Sequence, residues 1–206
     1  MKGIKALAGL AAAAIALTGA APVLATTPAP APTPRTFSYG VNPNVDQSLF
    51  TEEAHWELLR TVRNVGVSVH VNDVRECADG SASGLYFTAR RELHVCQDNR
   101  TPGSPEQVAW TANDLNTIRH EVHHMVQDLQ DGRLGDQQLH LVFDNDAQRE
   151  ALVDAALPEF VQEYIDRSYR SRGGNDFVVQ MELEAFSVAE LIHPAQLQEA
   201  LINLSR

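Results

Sequence analysis

The chain of 206 residues carries 16 basic and 27 acidic side chains, which give a formal net charge of −11 at pH 7. This excess of negative charge repels phosphate backbones, so we do not expect nucleic acid as a partner. The segment over residues 44–206 has the size of one domain with a single core, and its sequence contains no internal repeat.

The N-terminal segment has the pattern of an export signal. Lys2 and Lys5 precede an Ala-rich apolar run over residues 6–21, and small or aliphatic residues lead up to Ala25. We therefore predict a signal peptide over residues 1–25, cleaved after Ala25, and a secreted product with no stable insertion in a membrane. An uncleaved membrane anchor is the alternative, but the apolar run is short for a spanning helix.

The segment that follows the predicted cleavage site is rich in Pro and Ala. Such a sequence donates few backbone hydrogen bonds and buries little side chain, so it does not pack into a core. We expect a flexible, solvated leader over residues 26–43 and a single folded domain over residues 44–206.

The first part of this domain predicts one helix and a small sheet. Apolar side chains recur at helical spacing over residues 48–65, with Thr51 as the expected start. Residues 67–71 alternate and are rich in β-branched side chains, which is typical of a strand. Residues 84–88 and 92–96 resemble the two arms of a hairpin. The sequence therefore predicts a small, mainly antiparallel sheet of about three strands.

The chain has two cysteines, Cys77 and Cys96, and both lie in the part that is expected to be exported. An even pair in an oxidising compartment is most simply a disulfide. A pair of metal-binding thiolates would need more Cys or His side chains nearby, and only His94 is close in sequence. We therefore predict the disulfide, which should stabilise the fold by roughly 3 kcal/mol.

The second half of the chain is predicted to be mostly helical. A helix start is expected at residues 104–105, and helical spacing continues until residues 131–132, as one long helix or as two helices broken near Thr111. With the small sheet before it, this pattern predicts an α+β fold. The further predicted helices cover residues 147–157, 159–170, 177–192 and 195–204.

The strongest chemical signal is the sequence His-Glu-Val-His-His at residues 120–124. Residues four apart lie on one face of a helix, so His120 and His124 can present two imidazoles to one ion. Zinc accepts imidazole nitrogen in a tetrahedral arrangement, and Glu121 lies beside such an ion without binding it. His123 either supports a ligand from behind or lies at the surface.

A catalytic zinc site needs a third protein ligand and an open position for water. No His stands six residues after His124, so the extended metzincin pattern is absent and a carboxylate is the better candidate. Glu182 and Glu184 lie on a predicted helix whose other side is apolar. One of the two is expected to be an exposed helix charge.

Residues 120–124, together with a later Glu182-Leu183-Glu184-Ala185, resemble zincin metallopeptidases of the gluzincin type. In several such families a Glu-x-x-Ala motif on a second helix supplies the third ligand, and the Ala lets two helices pack closely. Carried over to this chain, the resemblance implies Glu182 as the ligand and Ala185 as the small partner. Phe186 departs from families that have Asp after the Ala. Glu184 stays the alternative, although the direction of helical side chains favours Glu182.

The resemblance implies a secreted zinc-dependent metallopeptidase in a zincin-like domain, with a peptide or protein as substrate. Zinc held by His120, His124 and Glu182 would activate a water, and Glu121 would act as general base. An alternative is a non-catalytic zinc-binding protein that serves interactions at the cell exterior, and a further one is a metal-free structural protein. The sequence does not predict the oligomeric state.

The sequence also offers candidates for the supporting parts of such a site. Zincins hold an extended substrate along a sheet edge that precedes the active helix, and residues 92–96 are the candidate for it. Asp128, one turn beyond His124, could orient that imidazole or could equally be a solvated helix end. The chemically suitable oxyanion donors, which the sequence does not rank, are Tyr164, Tyr169, Arg170 and His140.

Overall fold

The structure is a computed structural model that describes residues 39–78, 80–99, 101–143 and 145–206. The predicted signal peptide and residues 26–38 of the predicted leader lie outside the described residues. Within the described ranges the fold is α+β, as predicted, with a three-stranded sheet and six α-helices. None of the helices in this part of the chain is long and apolar enough to cross a membrane. The elements are β1 (Ser68–Val71), β2 (Gly84–Phe87), β3 (Glu92–Val95), α1 (Glu52–Asn64), α2 (Ala112–Asp128), α3 (Asp146–Ala156), α4 (Glu159–Ser171), α5 (Asp176–Leu191) and α6 (Pro194–Leu204).

The sheet is mixed, and this corrects the prediction of a mainly antiparallel sheet. Strands β2 and β3 form the predicted antiparallel hairpin, but β1 pairs parallel with β3. The strand order is β1-β3-β2, so the last strand in the sequence lies in the centre. The long connection over residues 72–83 carries the chain from one edge of the sheet to the other, which leaves room for β3 between them.

The central position of β3 overturns one further expectation. Residues 92–96 were the candidate edge for an extended substrate, but β3 is hydrogen-bonded to a strand on each side. Its backbone groups are therefore already paired. The edge strands of the described sheet are β1 and β2, and β2 packs against α2.

The predicted helix starts are explained by capping side chains. Thr51 accepts a hydrogen bond from the backbone N–H of Ala54 at the start of α1. At α2, Thr111 and Asp114 form a reciprocal capping box. The helical stretch is thus broken at Thr111, which was one of the two alternatives, and residues 105–107 form only a single 3-10 turn.

Helix α2 is the centre of the molecule and is enclosed by the sheet, α5 and α6. Its apolar side chains, including Ile118 and Val122, join one core with Leu93, Val188 and Leu197. A fully enclosed helix is usually apolar all round. Residues 119–121, 123–124 and 127–128 of α2 are nevertheless polar and buried, so each of these side chains needs a partner inside the protein.

The predicted disulfide is confirmed. Cys77 and Cys96 are bonded, with their Cα atoms 5.4 Å apart, and the bridge ties the connection between β1 and β2 to the end of β3. Tyr39 is a second anchor: it lies within the predicted leader, but its side chain is buried in the core. Packing therefore begins before residue 44.

Candidate metal centre

Helices α2 and α5 bring the three side chains that were predicted as metal ligands to one point. His120 and His124 lie one helical turn apart on α2, and their Nε2 atoms are 3.1 Å apart. Glu182 reaches them from α5, with its Oε2 atom 3.3 Å from Nε2 of His120 and 3.5 Å from Nε2 of His124. All three side chains are buried. Glu184 is not part of this cluster.

These separations match the coordination geometry of a small divalent ion. Bonds of about 2.1 Å at tetrahedral angles place two ligand atoms about 3.4 Å apart. The three measured separations lie between 3.1 and 3.5 Å. His120, His124 and Glu182 could therefore hold a metal ion with little movement of their side chains.

The amide of Gln127 orients the ring of His124. Its Oε1 lies 2.7 Å from Nδ1 of His124, while its Nε2 donates to the carbonyl of Met181 and to Glu184. Because an amide oxygen can only accept, Nδ1 of His124 carries a hydrogen, which leaves Nε2 as the ring nitrogen that could bind an ion once its own proton is displaced.

The sequence left Asp128 either as a group that could orient His124 or as a solvated helix end, and its hydrogen bonds and burial fit neither. Its carboxylate accepts from the hydroxyl of Tyr86 at 2.7 Å and from the backbone N–H of Gly135 at 2.8 Å. Asp128 therefore ties the end of α2 to β2 and to the following loop. Gln127 and Asp128 are neighbours in the sequence but point in different directions. Gln127 faces α5 and contacts the ring of His124, whereas Asp128 faces the sheet.

The ring of His120 is held by packing. Phe186, at the position where the motif departs from some gluzincin families, places its ring centroid 4.3 Å from that of His120. An apolar ring at this point limits the rotation of the imidazole and keeps water from one side of it. The departure therefore leaves the cluster intact.

The charges within the cluster depend on one another. Burial disfavours a charged Glu182, but the rings of His124 and His120 lower its pKa to about 2. Burial likewise disfavours a charged His124, but Glu182 raises its pKa to about 9. Burial lowers the pKa of His120 to about 4. In the metal-free protein an ionised Glu182 thus pairs with a protonated His124, and a divalent cation would take the place of that proton.

Glu121 lies in the same buried region. Its Oε1 atom makes no hydrogen bond within the described part of the chain. Burial raises its pKa to about 8; the charge of Glu182 adds to the rise and His124 opposes it. In the metal-free protein this carboxyl group is therefore mostly protonated at neutral pH, and it becomes a proton acceptor as the pH rises through about 8.

A close approach of β2 to α2 places Glu121. A Cβ atom at Gly84 would lie only 2.6 Å from Oε1 of Glu121 and 2.5 Å from Cγ2 of Thr117. Only Gly allows the strand to lie this close to the helix. Sequence reasoning did not single out Gly84, because the contact joins elements that are far apart in the chain.

Among the four candidate oxyanion donors, Tyr169 lies beside the cluster. It is buried on α4, and its pKa is raised mainly by burial and further by the charge of Glu182. Tyr164 is exposed, and Arg170 forms ion pairs with Asp166 and Asp176. The contacts described for His140 do not include the cluster.

Glu184 is the centre of a second buried network. Its carboxylate accepts from Nε2 of His123 at 2.8 Å, from Gln127 at 3.0 Å, and from the backbone N–H groups of Val142 and Phe143 at 3.0 and 3.2 Å. One of Glu182 and Glu184 was expected to be an exposed charge, but both are fully buried. The expectation failed because loop 141–143 covers the side of α5 that carries Glu184.

The His123 ring joins the same network. It is fully buried, and its Nδ1 atom lies 3.1 Å from the hydroxyl of Tyr39. His123 therefore supports the site from behind and does not lie at the surface. Through Glu184 and Gln127, this network is continuous with the ring of His124.

Comparison with known proteins finds no significant match to a family model, a curated protein or a solved structure.

Proposed function

We propose that this protein is a secreted zinc-dependent metallopeptidase. The observation that carries the proposal is the convergence of His120, His124 and Glu182 on one point, with the buried carboxylate of Glu121 next to it. Two imidazoles and one carboxylate are a typical protein ligand set for catalytic zinc. The disulfide supports an oxidising, extracellular or periplasmic location.

In this proposal each residue of the site has a separate task. His120, His124 and Glu182 would hold the ion, which when bound would supply a polarised water with a pKa of about 7. Glu121 would accept a proton from the attacking water and deliver it to the leaving nitrogen. Tyr169 donates a hydrogen bond from its hydroxyl to the developing oxyanion. Gln127 keeps the ring of His124 in the tautomer that leaves Nε2 free.

The edge of β2 is the proposed binding surface for an extended substrate. β2 lies against Glu121 at Gly84, and its outer side is not paired with another strand of the described sheet. A peptide that adds to this edge would place its backbone beside Glu121. The edge of β2 therefore replaces residues 92–96 as the candidate surface for binding an extended substrate.

A second candidate function is a zinc-binding protein without peptidase activity. It is favoured by the burial of the site, since none of His120, His124 and Glu182 has more than 2% of its surface exposed. Structural zinc sites are closed in this way. The presence of Glu121 favours the enzyme, because its buried carboxylate has no task in a structural site.

Replacement of Glu121 by Gln separates the two candidates. Glu121→Gln keeps the size of the side chain but removes the base. We expect it to retain zinc and to lose peptide cleavage by at least about 100-fold, as is typical of a lost general base. Glu199→Gln, on the exposed side of α6, is the matched control and should behave as wild type. Undiminished cleavage by Glu121→Gln would contradict the mechanism, and zinc binding without any cleavage by the wild type would favour the second candidate.

A further inference from the structure

The sheet has a second face, which points away from α2. Side chains alternate between the two faces of a strand, so every second residue of β1 and β3 lies on that outer face. His70 of β1 and Glu92 and His94 of β3 share it. The residues that alternate with them and pack on the core are Val69, Val71, Leu93 and Val95.

The three outer side chains are neighbours in space. His70 and His94 are register partners in the parallel pairing, and their ring centroids are 4.7 Å apart. Glu92 stands two residues before His94 on the same strand, and its Oε2 atom is 3.1 Å from Nε2 of His94. One donor atom from each of the three residues lies within 4.8 Å of the others.

Two ring nitrogens in this group have no hydrogen-bond partner within the described residues. They are Nε2 of His70 and Nδ1 of His94, and both atoms are buried. His94 as a whole is only 2% exposed. Burying a ring nitrogen without a partner costs free energy, and a metal ion would satisfy it. This feature separates the group from an ordinary patch of surface charges.

We propose that His70, Glu92 and His94 form a second site for a divalent transition-metal ion. Imidazole nitrogen with one carboxylate oxygen is a ligand set for zinc and for copper or nickel of similar size. Asp73 adds a negative charge close to both rings. The site is independent of the proposed peptidase centre, since the three ligands lie on the opposite face of the sheet from α2.

Small rotations of the side chains would complete the coordination. The rings of His70 and His94 are stacked with 19° between their planes, so at least one must turn for both lone pairs to meet at one ion. His70 is half-buried and the side chain of Glu92 is 28% exposed, which leaves room for these rotations. The backbone pairing of β1 with β3 already sets the spacing.

Arg90 orients the carboxylate of Glu92. Its Nε atom lies 3.0 Å from Oε2 of Glu92, and its Nη2 atom donates to Glu76 at 2.8 Å. A carboxylate held in this way is fixed before the metal binds. Because Arg90 is positively charged, it also weakens the affinity, so we expect this site to release its ion more readily than the buried centre.

The second ion would stabilise the pairing of β1 with β3. It links β1 to β3 through side chains, on the face where the Cys77–Cys96 disulfide ties the adjoining loop to the end of β3. The ion and the disulfide would together stabilise the outer face of the small sheet, against which α2 does not pack.

The stoichiometry of zinc binding tests this inference. The purified full chain is first stripped of metal with a chelator and then equilibrated with Zn²⁺ by dialysis. The number of zinc ions per chain is measured by inductively coupled plasma mass spectrometry. We expect two ions for the wild type, one for His70→Ala, one for the double variant His120→Ala/His124→Ala, and none when all three changes are combined. His140→Ala, a histidine outside both groups, is the matched control and should retain two.

The result that overturns the inference is a folded His70→Ala protein that binds as many zinc ions as the wild type. Circular dichroism establishes that the variant is folded. If His70→Ala does not fold, Glu92→Gln is judged by the same standard, since its partly exposed side chain is not part of the core. The deciding comparison is that of His70→Ala with the wild type, so a buried centre that binds no zinc would lower both counts by one and leave the test intact.

Discussion

Replacement of Gly84 by Ala is a sensitive probe of how β2 places Glu121. The added Cβ would lie 2.6 and 2.7 Å from two atoms of the Glu121 side chain and 2.5 Å from Thr117. Ordinary contacts between such atoms begin at about 3.5 Å, so Glu121 has to move by roughly 1 Å. Overpacking of this kind costs about 1–3 kcal/mol of unfolding free energy. A displacement of roughly 1 Å in a reacting group can cost about 100-fold in rate.

The assay follows peptide cleavage, zinc content and thermal unfolding of Gly84→Ala in parallel. We expect cleavage to fall roughly 100-fold while zinc stays bound, because the contacts of the added Cβ do not include the three metal-binding side chains. The melting temperature should fall by roughly 2–4 °C for each kcal/mol lost. Gly103→Ala is the matched control, since its Cβ would lie 2.9 Å from Val108. It should lower stability without lowering the cleavage rate of the folded protein. Wild-type activity and stability in Gly84→Ala would refute the reasoning.

Three further predictions concern the network around the centre and the disulfide. Gln127→Ala removes the hydrogen bond that orients His124 and should lower zinc affinity by about 10–100-fold, measured by competition with a chelator. The pKa values of His124 and Glu121 are raised from 6.5 and 4.5 to about 9 and 8, so both groups lose stabilising protons as the pH rises. The unfolding free energy of the metal-free protein should therefore fall between pH 6.5 and 9 in denaturant titrations, and a constant value would contradict the assigned protonation. The double variant Cys77→Ser/Cys96→Ser should lose roughly 3 kcal/mol of stability, and an unchanged denaturation midpoint would contradict that role.

The helices could be predicted from the sequence because their signals are local. Helical spacing and capping residues lie within a few positions of one another, so Thr51 marks the start of α1 correctly. For α2 the expected start at residues 104–105 gives only a 3-10 turn, and the helix begins at the break near Thr111 that was one of two alternatives. The four C-terminal helices begin and end within a residue or two of the predicted ranges for the same reason. The hairpin of β2 and β3 is also local, and it was predicted correctly.

The order of the strands could not be predicted, because it depends on contacts between distant segments. The alternation over residues 67–71 indicates a strand but not its neighbour or its direction. β3 lies between β1 and β2, and both hairpin strands contact α2, which is distant in the sequence. For this reason the proposed substrate edge moved from residues 92–96 to β2.

The candidate site shows the same division between local and distant information. The four-residue step from His120 to His124 is a property of one helix, and the structure brings Glu182 to both rings. The four hydrogen bonds to Glu184 depend on a loop whose position the sequence does not reveal. An acidic residue on an apolar helix was expected to be exposed to solvent. Buried hydrogen-bond partners can also stabilise its carboxylate inside the protein.

Anomalous X-ray diffraction at the zinc edge, from crystals of the zinc-loaded protein, tests the central claim most directly. The account predicts a peak about 2.1 Å from Nε2 of His120 and of His124 and at a similar distance from a carboxylate oxygen of Glu182. A zinc-loaded crystal with no peak among these three side chains would contradict it.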